Sequence, residues 1–190
     1  MRLYNHQSER LYLNASERRR FLQQARQQPI TIQSFALTLF YTGCRISEGC
    51  ALTTHALQAE EQLLSIRSLK KRSLRHIREI PIPPELVRVL EAQRGEKNRD
   101  IPLWSNIQGK AINRITPYRW IKQIMAQAGI AGSQATPKGL RHGFGIHAIA
   151  SGVPLNMVQK WMGHADIKTT AIYTNAVGLE ERELAERMWD

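Results

Sequence analysis

The sequence predicts an α+β domain that is mainly helical and carries one small antiparallel sheet. Three observations predict it. Apolar residues recur at the three- and four-residue spacing of a buried helical face through most of the chain, as at Ile32, Phe35, Ala36, Leu39 and Phe40. One stretch, from Gln62 to Ile82, instead alternates apolar and polar residues with the period of a strand. The 190 residues, 42% apolar and 23% charged, suffice for a single domain with its own core.

Taken in order, residues 1–13 read as an N-terminal extension. Asn14 and Glu17 have capping-box spacing and open a helix through Phe21, Leu22 and Ala25, which Pro29 ends. The second helix runs through Phe40 to Gly43, a glycine placed as a C-cap, and Cys44-Arg45-Ile46-Ser47-Glu48 starts another. Leu64 and Ile66, then Ile77, Ile80 and Ile82, form a hairpin whose tip is Lys70-Lys71-Arg72-Ser73. Pro81, Pro83 and Pro84 close it, and Pro84-Glu85 opens a short helix carrying Leu86, Val89 and Leu90. Thr116-Pro117 caps a helix bearing Trp120, Ile121, Ile124, Met125 and Ala128, stopped by Gly129. Further helices are expected from about Leu140 to Ala150, from Pro154 to near Gly163, and around Ile167 to Thr174. Residues 14–176 then form the domain, and 177–190 a charged helical tail spanning Leu179 to Met188. There is no internal repeat.

The 27 Lys and Arg outnumber the 16 Asp and Glu, for a net charge of +11 and a pI near 10.2. Such a surface attracts polyanions through long-range steering and counterion release, and nucleic acid is the expected partner. RNA, anionic lipid or a plain solubility charge fit the same balance. No run of about 18 apolar residues is present, and no apolar signal core follows Met1, so a cytoplasmic protein is expected. Cys44 and Cys50 are expected to be reduced packing thiols.

Three segments set polar residues where helices begin or end: Thr42-Gly43-Cys44-Arg45-Ile46-Ser47-Glu48, Lys138-Gly139-Leu140-Arg141-His142-Gly143-Phe144, and Trp161-Met162-Gly163-His164 with Tyr173 nine residues on. Singly each has a structural explanation: Arg45 as a surface partner of Glu48, His164 as a helix cap, Tyr173 as a core-edge residue. Together, and in this order, they resemble the boxes of the tyrosine recombinase (phage integrase) family, over about Asn14 to Asn175. The first box is similar to Thr-Gly-x-Arg-x-Ser-Glu and the second to His-x-Leu-Arg-His-x-Phe. The third is similar to Leu-Gly-His followed by a Thr-Thr pair and Tyr-Thr, found here as Met162-Gly163-His164, Thr169-Thr170 and Tyr173-Thr174. Short members of the family that it is similar to include the recombinases that invert fimbrial promoter segments.

The resemblance implies the fold of that family's catalytic domain and a set of roles. Tyr173 would attack a DNA phosphate and carry a 3′-phosphotyrosyl ester. Arg45 and Arg141 would clamp the phosphate, work suited to guanidinium groups, which grip two phosphate oxygens and stay charged. Glu48 would orient Arg45. Lys70 would protonate the leaving 5′-oxygen, with Lys71 as the alternative in a hairpin of uncertain register. His164 would hydrogen-bond the phosphate. Lys138 stands where the family usually has histidine and is expected to supply charge more than base catalysis, while His142 is expected to pack behind the site. Arg114, Arg119 and Lys122 around one helix, and Lys71, Arg72 and Arg75 on the hairpin, are candidate DNA contacts; exposed basic residues are as often simply solvated.

No metal or other cofactor is expected. The implied partners are double-stranded DNA, three further copies of the chain in a tetramer on paired sites, and accessory DNA-bending proteins, in a bacterial nucleoid. About thirty residues precede the helix burying Ile32 to Phe40, too few for the family's N-terminal clamp domain, so an excised domain and a naturally short protein are both open. The tail either exchanges between protomers or folds back. A type IB topoisomerase activity and a DNA-binding regulator without catalysis are the competing readings.

Overall fold

The computed structural model describes residues 2–69, 76–95 and 100–175, together with 182, 185, 186, 188 and 189 of the tail. Helix α1 (Ala15–Arg26) opens on the expected capping box: the Asn14 side chain accepts from the Glu17 N–H at 2.8 Å, and the Asn14 N–H donates to the Glu17 carboxylate at 3.0 Å. Two of the donors that a helix start leaves unpaired are thus satisfied. The chain ahead of it, residues 2–13, packs against the domain, burying Leu3, Tyr12 and Leu13.

Helix α2 (Ile30–Thr42) is the central post, with every residue from Ser34 to Phe40 buried. Its buried hydroxyls cost little because each has a partner: Ser34, Thr38 and Thr42 donate to the carbonyls of Thr31, Ser34 and Thr38. Gly43 then takes φ +59°, the left-handed turn that ends the helix, where a Cβ would also overlap the Phe144 ring. Helix α3 (Ile46–Cys50) follows at once.

The sheet has three antiparallel strands, β1 (Leu57–Gln58), β2 (Leu63–Arg67) and β3 (Ile77–Pro81), in that order. The hairpin is therefore as expected, with β1 added; two residues are too few for a period to be read. One detail differs. Leu64 pairs with Ile80, and Ile66 with Arg78, on the buried face, so Ile77 points outward and is 60% exposed. Counting in twos from Ile80 puts residue 78 inward, and the apolar character of Ile77 does not override the pleat.

Helix α4 (Pro84–Arg94) starts at Pro84 as expected. Helix α5 (Ile115–Gln127) begins just before Thr116, because the Asn113 side chain accepts from the Ile115 N–H at 3.0 Å and forms the turn; Pro117 sits in the first turn, where its missing N–H costs nothing. Helix α6 (Pro137–Ala150) also begins one turn before Leu140, capped by Thr136, whose hydroxyl accepts from the Gly139 N–H. Helix α7 (Leu155–Met162) ends at left-handed Gly163; α8 (Lys168–Ala171) runs into a 3₁₀ turn, Ile172–Asn175.

The main core joins α1, α2, α4, α5 and the buried sheet face, with Trp104 enclosed edge-on to Phe35 and bonded to the Ser34 hydroxyl. A second apolar cluster joins Leu3, Tyr12, Phe144, Ile146, Val158, Met162 and Tyr173. Helix α6 lies between the two, and its Gly139, Gly143 and Gly145 let neighbours approach closely. Cys44 and Cys50 are free buried thiols. No helix among the described residues is long and apolar enough to cross a membrane.

Candidate active site

The three polar segments converge where the ends of α2, α3 and α7 face the middle of α6. Arg45 is the N-cap of α3, so its backbone N–H is within reach of the side chain three residues on, and it donates to Glu48 at 2.9 Å. The Arg45 guanidinium donates to the other Glu48 oxygen, also at 2.9 Å. Glu48 is buried, which favours the protonated acid, but the charge and hydrogen bond of Arg78, followed by those of Arg45, outweigh burial and hold the carboxyl below its ordinary range.

Arg78 is the residue that sequence reasoning missed. It is 3% exposed; Nη2 donates to Glu48 at 2.6 Å and Nε to the Trp161 carbonyl at 2.7 Å. The signal was present: an arginine at an inward position of an alternating strand has to find a buried partner.

Arg141, on the second turn of α6, is 4% exposed. Its Nη1 donates to the Gly43 carbonyl and its Nη2 to the Met162 carbonyl, at 2.5 and 2.7 Å. Both acceptors lie at helix C-termini, where free carbonyls carry the negative end of the dipole. Burial, and then Arg45, bring the guanidinium down to about 10, which leaves it charged at neutral pH.

Tyr173 sits on the 3₁₀ turn with its ring against α6, in a slot made by Gly145; a Cβ there would lie 2.5 Å from the ring. The phenol is fully buried and 3.2 Å from His142 Nδ1. His164 stacks on the ring at 6.3 Å between centroids, and its Nδ1 is 2.9 Å from the Thr170 hydroxyl. Burial pushes the phenol up to about 12, against the pull of Arg141 and Arg45. The imidazoles move the other way, to about 4 for His142 (burial, then Lys138) and about 3 for His164 (burial, then Arg141). Both rings are neutral at physiological pH. The Nε2 atoms of both, and Arg141 Nε, are buried without a hydrogen-bond partner among the described residues.

Lys138 is exposed on the first turn of α6 and lines, with Arg114, Ile46 and Tyr118, a groove of about 420 Å³. Arg119 is exposed on α5, while the Lys122 ammonium donates to the Ala135 carbonyl. Lys70, Lys71, Arg72 and Arg75 lie outside the described residues. At the base of their hairpin, Ser68, His76 and Arg78 face Lys160 and His164 across a cavity of about 330 Å³. No cluster with metal-ligand character occurs among the described residues. Three guanidiniums around one carboxylate, beside a phenol and two neutral imidazoles, make a site suited to an anion that can be attacked by oxygen.

A profile of the phage integrase family matches residues 2–178. The chain is 32% identical over 155 residues to tyrosine recombinase XerA of Pyrococcus furiosus, covering 80% of this chain and 52% of that protein. Among solved structures, that of a XerA recombinase superposes with a TM-score of 0.79 at 26% identity, over 93% of this chain and 64% of the other. A XerH site-specific recombinase bound to its difH substrate, at 19% identity, shares the fold with a TM-score of 0.76 over 98% and 60% of the two chains. The chain spans about half the length of the curated relatives it matches.

Proposed function

We propose that this chain, which belongs to the phage integrase family, is the catalytic unit of a site-specific DNA recombinase that breaks and rejoins strands through Tyr173. The observation that carries the reading is the convergence of Arg45, Arg141, His164 and Tyr173, from four separate elements, on one cationic pocket. The Tyr173 oxygen attacks the phosphorus, a 3′-phosphotyrosyl bond forms, and the bond to the 5′-oxygen breaks. The 5′-oxygen takes a proton from Lys70, or from Lys71 beside it. The phenol proton leaves to a base as the arginines stabilise the phenolate. The ester keeps the energy of the broken bond, so the reverse attack rejoins the strand without ATP, and the guanidiniums supply the charge stabilisation that a metal ion gives elsewhere.

The buried phenol has a mechanistic consequence. Tyr173 is fully buried against Gly145 and out of reach of a DNA phosphate, so cleavage requires the Ile172–Asn175 turn to leave its slot as DNA binds. A DNA partner is supported by the charge of +11 and by two solved structures that share the fold, a XerH recombinase bound to its difH substrate and a Tn1549 transposon integrase in complex with a circular intermediate DNA. Arg114, Arg119 and Lys138 would contact its backbone, together with Lys71, Arg72 and Arg75, and Lys122 would contribute least, because its ammonium is shared with the Ala135 carbonyl. Assembly is as a tetramer on two paired sites, with residues 177–190 bridging protomers and accessory DNA-bending proteins setting direction.

A nicked duplex traps the covalent step, because the short 5′ product diffuses away. The wild-type chain should give a metal-independent adduct on a denaturing gel, and Tyr173→Phe none, with duplex affinity unchanged. An adduct that persists in Tyr173→Phe removes that residue as nucleophile. Supercoil relaxation without sequence preference would instead point to a topoisomerase, and DNA binding without adduct on any site to a regulator.

A further inference from the structure

Arg78 touches neither Arg141 nor Tyr173 through any hydrogen bond described above, yet it is among the most buried charges in the molecule. It joins three elements: β3, on which it sits; α3, through Glu48; and the last turn of α7, through the Trp161 carbonyl. Its guanidinium also lies against Gly163, where a Cβ would come to 3.0 Å, directly before His164. Nη1, the remaining prong, is buried without a partner among the described residues.

The charge arithmetic is what gives this arrangement a role. Glu48 holds the Arg45 guanidinium in place at 2.9 Å, and a carboxylate that close also cancels the positive charge it positions. Arg45 and Glu48 alone sum to zero. With Arg78 on the second carboxylate oxygen at 2.6 Å, the trio carries one net positive charge. The site then has a rigid Arg45 and a charge left over for a phosphate, which a two-residue ion pair could not provide together. A buried, water-excluded setting makes that difference large.

We infer that Arg78 is a positioning residue for phosphate cleavage, one that compensates Glu48 so that Arg45 is both fixed and electrostatically available. The inference rests on the proposed reading of the site and goes beyond it. Arg78 does not act on the reacting atoms; it acts through Glu48 and Arg45, and it ties the hairpin strand to the turn that presents His164.

The test compares Arg78→Gln, Arg78→Lys and the double variant Glu48→Gln/Arg78→Gln in the full chain. The probe is a nicked duplex whose site has been recovered from a random-sequence pool by covalent capture. Under saturating DNA, Arg78→Gln should slow adduct formation by about 10- to 100-fold, with duplex Kd unchanged within about threefold. The double variant should be at least about fivefold faster than Arg78→Gln, because the neutral amide it places beside Arg45 no longer cancels that charge. A purely structural role predicts the opposite, a second loss on top of the first. Wild-type rates in Arg78→Gln, or a double variant no faster than the single one, would overturn the inference. If Arg78→Gln alone does not fold, the two charge-balanced variants decide. Both should cleave within about tenfold of wild type, and a greater loss in both overturns the idea.

A second readout is independent of cleavage. The Glu48 carboxyl, followed by ¹³C NMR against pH, faces Arg45, Arg78, Arg141 and the Cys44 thiol. Its titration should move upward in Arg78→Gln, where burial is less opposed. If no variant, wild type included, forms an adduct, the recombinase reading fails. The Glu48 titration then decides separately whether Arg78 compensates Glu48: an upward move supports that compensation apart from cleavage, and an unmoved one sinks the inference.

Discussion

Arg45 and Arg141 are fixed by opposite means, and the difference sets what each contributes. A carboxylate orients Arg45, whereas two backbone carbonyls orient Arg141 and leave its charge intact. Arg141→Lys is therefore not conservative. An ammonium cannot span the Gly43 and Met162 carbonyls while presenting a third donor, so adduct formation should fall by about 100-fold or more. Unfolding stability should drop by about 1–3 kcal/mol for the carbonyl left unpaired. Single-turnover cleavage and urea unfolding check the two parts separately; wild-type cleavage by Arg141→Lys would mean that its fork geometry is irrelevant. At this scale Arg45, Glu48 and Arg141 are readable because each lies in a local motif. The contact between His142 and Tyr173 joins positions 31 residues apart, and no local pattern encodes it. Arg78 was legible in principle, but the apolar Ile77 beside it drew the strand's inward face one residue out of register.

Among the elements, α6 does the most to shape the site. It is buried continuously from Gly139 to Ile146, and its glycines are the places where something else needs the space: the Gln134 carbonyl at Gly139, the Leu13 carbonyl at Gly143 and the Tyr173 ring at Gly145. Gly145→Ala should close the tyrosine slot. Overpacking of this kind costs about 1–3 kcal/mol, and a lower Tm is expected. The same change favours the displaced tyrosine, so Tyr173 should become more reactive to a phenol-modifying reagent in the absence of DNA. An unchanged Tm together with a still-protected Tyr173 would show that the slot tolerates a methyl group. Helix identities were legible across the whole domain, since each has an apolar face and a stop signal. Their starts were less so. The Asn113 side chain turns the chain into α5 and Thr136 caps α6, through side-chain bonds that compete with the nearby prolines as signals, and β1, two residues long, pairs with β2 without a readable period of its own.

For the whole molecule, buried neutral histidines make stability depend on pH. His142 and His164 stay unprotonated in the folded chain down to about 4 and 3, whereas both titrate near 6.5 when unfolded. Below 6.5 the unfolded state binds protons that the native state refuses. The stability is therefore complete above about pH 6.5 and lost progressively as pH falls toward the folded values. Each contributes on the order of 2 kcal/mol of loss by pH 5. Glu48 and Glu17, held below the carboxylate range, act only at lower pH, so the window between 6.5 and 5 isolates the histidines. Urea unfolding at pH 7.5, 6 and 5 measures the effect; a flat midpoint across that window would mean that both rings are solvated, and half the expected loss that one is. The fold's charge offers a separate test of which cations meet DNA. Each phosphate contact adds about 0.9 to the slope of log Kd against log salt, whichever sequence is bound. Arg114 is exposed at the N-cap of α5 and Arg119 on the helix, and Arg114 shares a groove with Lys138, so Arg114→Ala/Arg119→Ala should lower that slope by about 2. Lys122, already committed to the Ala135 carbonyl, should change it least, and a double variant with the wild-type slope would leave α5 facing solvent instead of a phosphate backbone.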